Sequence, residues 1–214
     1  MLIEKQPADR SYHHGDLRDT LMEAALASIA AHGTEKLSLR ALAREAGVSP
    51  TAPYRHFPSK QSLLAALAEQ GFLELLARFD AVAAEPYADL ELRLLALGMA
   101  YIEFALANPT SYELMFGSVL GDFSGYRPLQ EAAEGCYRVL YRILEEGLSP
   151  ESAPDLTATR LGGVVWAAVH GVASLMLYHR DIGMAEDPQD PRTSLHGMMA
   201  DPASALRILF AGIR

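Results

Sequence analysis

ALAREAGVSPTAPYRHFPSKQSLLAALAE, residues 41–69, joins a short helical pattern, a second short and unusually polar one, and the opening of a long one with almost no linker. Gly47 ends the first pattern, because glycine accepts the left-handed backbone that closes a helix. Ser49 and Pro50 start the second, as N-cap and first helical residue, and Pro58 closes it after Phe57. Ser59 then caps a helix running to about Ala84, with Leu63, Leu64, Leu67, Phe72, Leu75, Leu76 and Phe79 on its inner side. Two short helices about a glycine turn, the second presenting polar groups, form the helix-turn-helix arrangement. There the second helix enters the major groove of DNA while the first crosses the backbone. The clustering of Thr51, Tyr54, Arg55 and His56 is what a helix facing phosphates and bases requires. Lys60 opens the next helix, whose N-terminal amides favour an anion.

Upstream, Asp16 is an N-cap for a first helix in which Leu17, Leu21, Ala25 and Ile29 recur every fourth residue until Gly33. Ser38 caps the next pattern, with Leu39, Leu42, Ala43 and Ala46 turned inward and Val48 as a plug between helices. Ser38 and Arg40, at the start of that helix, can serve as cap and backbone contact. Arg55 can equally be a solvated charge or an ion-pair partner.

The chain of 214 residues carries a net charge of -9, which disfavours a polyanion until it is divided along the sequence. Residues 1–60 hold eight Lys and Arg against seven Asp and Glu, and the remainder holds ten against twenty. Only the N-terminal quarter tolerates nucleic acid. Four of the seven histidines (13, 14, 32 and 56) lie there too. His13 and His14 could pair on a metal, but adjacent residues on an extended arm point apart and no third ligand is evident, so no metal is expected and no cofactor is read. The arm touching DNA is the other reading.

From about residue 85 the pattern predicts five more helices, at 89–107, 110–119, 129–147, 155–178 and 202–213, with a mobile loop at 181–201 rich in Asp, Pro and Gly. The run 161–178 is 18 residues without a formal charge and reaches the minimum for a membrane span. His170 at its middle, an arginine at both ends and the lack of a second span point instead to a buried helix. Gly163, Ala167 and Gly171 place small side chains on one face at four-residue spacing, a candidate dimer contact. Leu206 and Phe210 of the last helix join it in a four-helix interface. Tyr101, Phe104, Met115, Phe116, Tyr137, Tyr141, Trp166 and His170 are candidates to line a ligand pocket within the body, although such residues at helical spacing are as readily ordinary core. The few charges on these helices imply an apolar or aromatic effector. No convergent catalytic site is evident: there is no phosphate-binding loop or dinucleotide fingerprint, and Cys136, the single cysteine, falls mid-helix. That lone thiol and an N-terminus without an apolar signal core predict a cytoplasmic protein.

LSLRALAREAGVSPTAPYRHFPSKQSLLAALAE, with its AGVS turn, YRHF ending and F-x-SK helix opening, resembles the DNA-binding segment of the TetR/AcrR transcriptional regulators over roughly residues 12–70. YHHGDLR at 12–18 resembles the start of such proteins, and WAAVHG at 166–171 resembles the motif of the WHG-type C-terminal domain. The resemblance implies an all-α homodimer with a three-helix head at 12–60 and a helical ligand-binding and dimerisation body at 61–214. The expected mechanism is repression from a double-stranded, pseudo-palindromic operator, with release by a small-molecule effector, and the residues themselves point to no enzymatic or membrane role. Carried over, the resemblance makes Tyr54 and Lys60 phosphate contacts, Thr51 a base or backbone contact, and His56 a neighbour of the DNA. Ser49 and Ala52 share that surface, and Phe57 and Val48 are core. Pro53 departs from the family pattern, which has a larger non-proline residue there. The alternative is a helical interaction or structural protein whose helix-turn-helix no longer binds DNA.

Overall fold

A computed structural model describes residues 14–121, 125–148, 157–179, 189–211 and 213. Every regular element among these is helical. The first are α1 (His14–His32), α2 (Leu39–Glu45), α3 (Lys60–Ala84), α4 (Leu90–Ala107) and α5 (Pro109–Phe116). They are followed by α6 (Arg127–Gly147), α7 (Ala158–His179), α8 (Pro191–Ala200) and α9 (Pro202–Phe210). Two compact units, Met1–Leu67 and Ala68–Arg214, divide within α3.

In the first unit the fourfold spacing of α1 buries Leu17, Leu21, Ala25 and Ile29 together with Leu39, Leu42, Phe57, Leu63 and Leu64. The Arg18 guanidinium lies 5.5 Å from the centre of the Phe57 ring, a cation–π contact that covers the core's edge. Gly47 takes φ 68°, the left-handed turn that ends α2. Val48 donates to the Ala43 carbonyl at 2.9 Å but is half-buried, a partial plug. α1 begins at His14, so Asp16 lies in its first turn rather than capping it; residues 1–13, with the expected arm and His13, lie outside the described residues.

The second short helix differs from expectation. In place of a helix from Ser49 to Phe57, a 3-10 turn spans Ala52–Arg55. Its bonds run three residues back, from Ala52 to Ser49 at 3.0 Å, Tyr54 to Thr51 at 3.3 Å and His56 to Pro53 at 3.0 Å. The cause is Pro53, which has no N–H to close an α-helical turn on the Ser49 carbonyl. Its ring is buried, so the proline is part of the core rather than a defect within an α-helix.

In the second unit α4 packs against α5, α6, α7 and α9. Asp89 caps it by accepting from the Leu92 amide at 2.8 Å. Gly98 lets α9 approach: a Cβ there would stand 2.7 Å from Leu206 Cδ1 and 3.3 Å from Val169 Cγ2. Leu206 and Phe210 are therefore 0% and 1% exposed, which corrects their assignment to a dimer contact; both are consumed by the protomer's own core. The helix expected at 110–119 ends at Phe116, where the Gly117 amide bonds back to Glu113 at 2.8 Å and the chain turns extended. α8 forms where a loop is expected, because Asp190 accepts from the Arg192 amide at 2.9 Å with Pro191 behind it, a start signal written as Asp-Pro. Residues 180–188 and the expected start of α7 at Asp155 fall outside the described residues. α7 is long and apolar enough to cross a membrane by length and composition, but Leu161, Val165, Val169, Val172, Ala173 and Met176 are buried in the unit.

Candidate functional site

Two separate surfaces carry function-bearing side chains, one in each unit. In the first unit Ser38, Arg40, Ser49, Thr51, Tyr54 and Arg55 are exposed, while Ala52, His56 and Lys60 are half-buried. None of the nine is consumed by the core. Ser38 stands at the N-cap of α2 with extended backbone and makes no side-chain cap bond, which leaves its hydroxyl for another partner. Ser49 Oγ and Thr51 Oγ1 are 3.2 Å apart, so the two hydroxyls that open the 3-10 turn hold one another in place. Lys60 donates to the Glu35 carbonyl at 3.3 Å. Ser59 Oγ accepts from the Ser62 amide at 3.1 Å, fixing the start of α3 beside it. Arg44 is a residue that the sequence reading passes over: it is exposed one turn after Arg40 on α2, and the four-residue spacing was the signal.

In the second unit a cavity of about 420 Å³ opens among α3, α4, α5, α6 and α7. That volume lies in the usual range of small-molecule sites. Of the eight expected lining residues, Tyr101, Met115, Phe116, Tyr137 and Trp166 do line it. Phe104 does not: it is fully buried, with the Arg78 guanidinium 5.7 Å from its ring centre. Tyr141 belongs to a shallower groove with Tyr137 and Arg138. His170 lies behind the wall, stacked on Trp166 at 5.0 Å between ring centres. Phe72, Phe79 and Cys136 are also in the wall and were missed, the first two because they read as ordinary core of the long helix. Among the described residues, none that lines the cavity is an acid, a lysine or an arginine.

Burial pushes the Cys136 thiol up to about 12, and the thiol donates to the Phe72 carbonyl at 3.4 Å. It is a packed, unreactive group. Burial also holds the His170 imidazole below its usual pKa and raises the Tyr101 phenol, with the neighbouring Tyr112 adding to the rise. On the outer side of α7, Gly163 and Ala167 are exposed and Gly171 is half-buried. Val164, Leu175 and Tyr178 share that exposure, as do Ile208 and Leu209 of α9.

Residues 21–67 match the family described as bacterial regulatory proteins, tetR family, and residues 94–201 match the tetracyclin repressor-like C-terminal domain. An HTH-type transcriptional regulator of Mycobacterium tuberculosis is 35% identical over 92 residues, 41% of this chain and 38% of that protein. The chain thus spans well under half the length of that curated relative. A protein of unknown function from Rhodococcus sp. RHA1 is 32% identical and superposes with a TM-score of 0.71, covering 94% of this chain and 98% of the other. FadR from Bacillus subtilis, a transcriptional regulator in complex with stearoyl-CoA, shares the fold at 16% identity and TM-score 0.69, covering 92% of this chain and 99% of its own.

Proposed function

The chain belongs to the TetR family of bacterial regulatory proteins, and from that premise we propose that it is a ligand-responsive, DNA-binding transcriptional regulator. It acts as a cytoplasmic homodimer that represses a neighbouring gene by occupying a pseudo-palindromic operator. The observation that carries this reading is the division of labour. One unit leaves Ser38, Arg40, Thr51, Tyr54 and Arg55 exposed about a helix-turn-helix, and the other encloses an apolar cavity. Two copies supply two heads for successive major grooves, about 34–36 Å apart or a multiple of that. The exposed apolar stripe of Val164, Ala167, Leu175 and Tyr178 on α7, with Ile208 and Leu209 on α9, is the surface that pairs them. α3 contributes residues to both units, and an effector in the cavity acts by preferring the setting of α3 that spaces the heads wrongly. Only such differential affinity moves the equilibrium. The described residues lining the cavity offer no lysine or arginine to an anionic head such as that of FadR's stearoyl-CoA, which favours a neutral effector here.

The test is fluorescence anisotropy of the purified protein on DNA flanking its own gene, at two salt concentrations, beside Tyr54→Ala and Lys60→Ala. Operator recognition predicts affinity falling with salt at a log–log slope of about -0.9 per phosphate neutralised, and loss of binding in both variants. Weak binding that the variants leave unchanged, persisting after selection from random sequence, would instead support a helical interaction protein with an idle head.

A further inference from the structure

The apolar cavity is backed on one side by a polar cluster that packing alone does not call for. Tyr101 Oη lies 2.8 Å from His170 Nδ1. Tyr112 Oη lies 2.9 Å from the same nitrogen and 3.1 Å from Ser174 Oγ. Two phenols therefore converge on one ring atom, which can either accept or donate but not both. With Nδ1 unprotonated, Tyr101 donates to it while Tyr112 turns its proton to Ser174, and the Tyr101 oxygen keeps free lone pairs. With Nδ1 protonated, it donates to one phenol, and the Tyr101 O–H is left with only Tyr112 Oη at 3.5 Å, a long contact that a guest can displace. In either tautomer Tyr101, which lines the cavity, keeps one hydrogen-bonding capacity open to a guest. Burial keeps both the imidazole and the phenol neutral near pH 7.

Behind the cluster lies a second depression of about 250 Å³, whose wall includes Tyr112, Glu113, His170 and Ser174 and which shares Phe116 and Gly117 with the cavity. Among the described residues lining the two, Glu113, an exposed residue of the second depression, is the one charged side chain. A carboxylate or phosphate buried in the cavity would lose its water and gain no cation from the described lining residues, which opposes its binding. The rings of Phe72, Phe79, Phe116, Tyr137 and Trp166 in the same wall offer faces and edges to a planar guest.

Resting on the reading of this cavity as the effector site, we infer that it selects an uncharged aromatic molecule bearing one hydroxyl or carbonyl, bonded to Tyr101 at the Tyr101–His170–Tyr112–Ser174 cluster, and rejects carboxylates of the same shape. The probes are 2-naphthol, naphthalene and 2-naphthoate, measured by equilibrium dialysis against the full chain and its Tyr101→Phe variant near neutral pH. Naphthol is expected to bind about tenfold or more tighter than naphthoate. Tyr101→Phe should lower naphthol affinity about fivefold, the scale of one neutral hydrogen bond, and leave naphthalene within about twofold. Naphthoate binding as tightly as naphthol, equal losses for naphthol and naphthalene in the variant, or no binding of any probe would overturn the inference. Operator anisotropy on the same preparations separates the two readings. Salt-sensitive DNA binding with indifferent probes removes only the ligand chemistry, whereas selective naphthol binding without operator binding removes only the regulator.

Discussion

Tyr54 keeps 43% of its surface exposed on the 3-10 turn, so its side chain costs the fold little to remove. Tyr54→Ala should change unfolding free energy by less than about 0.5 kcal/mol while operator affinity falls about tenfold, read by denaturant titration and anisotropy in parallel. Lys60→Ala behaves differently because its ammonium also holds the Glu35 carbonyl. It should flatten the salt slope by about one unit and lower the head's melting temperature slightly, an effect that Tyr54→Ala lacks. His170 carries a pH signature. Its folded pKa lies below the usual histidine value because burial disfavours the imidazolium, so the unfolded chain binds the proton more readily. The stability that follows is full above the unfolded pKa of about 6.5 and is lost as pH falls below it, by at most about 1.4 kcal/mol per pH unit. Denaturant midpoints of wild type and His170→Gln between pH 8 and 5 should converge toward acid; parallel curves would contradict the assignment.

Helix packing turns on two residues without ordinary side-chain freedom, Gly98 and Pro53. Gly98→Ala places a methyl 2.7 Å from Leu206 Cδ1, and a core this tight should lose about 1–3 kcal/mol. Leu206→Ala alone should lose about 2–5 kcal/mol. The double variant should lose less than the sum, since each change relieves the other; additivity in urea unfolding would place the two groups out of contact. Pro53→Ala restores an amide one turn after Ser49 but empties a buried ring and frees the unfolded chain, for a net loss of about 1 kcal/mol. These elements also mark how far the sequence could be read. The start of α3 after Ser59 and the turn at Gly47 were legible because capping and positive φ are local properties. The 3-10 turn at Ala52–Arg55 was not, because Ser-Pro at 49–50 is equally a helix start and the difference rests on where the Pro53 ring packs. Asp190-Pro191 was legible in principle and was outweighed by the loop-like composition around it. Leu206 and Phe210 were recognisably apolar, yet which side of α9 meets α4 depends on the gap at Gly98. At the cavity and the cluster behind it, Tyr101 and Trp166 were foreseen by type. Tyr112 was not, since its partnership with His170 spans 58 residues of sequence, though Ser174, four residues after His170, was within reach of the pattern.

For the whole molecule, pairing is the property on which operator affinity depends. Ile208 is 79% exposed and Val164 65% exposed on the outer faces of α9 and α7, where charge costs an isolated protomer nothing. Val164→Glu with Ile208→Glu should leave helical content intact, yield a monomer by light scattering, and reduce operator affinity to that of a single head. A folded dimer in that variant would put the pairing surface elsewhere. The thiol of Cys136 has one more use. It is the chain's single sulfhydryl; although it lines the cavity, burial keeps it protonated and it is tied to a carbonyl, so maleimide and nitroxide reagents react with it far more slowly than with an exposed thiol. A cysteine introduced at exposed Thr51 can therefore be spin-labelled without first deleting the native one. The separation of paired labels then becomes a ruler for the two heads, read with and without effector in solution.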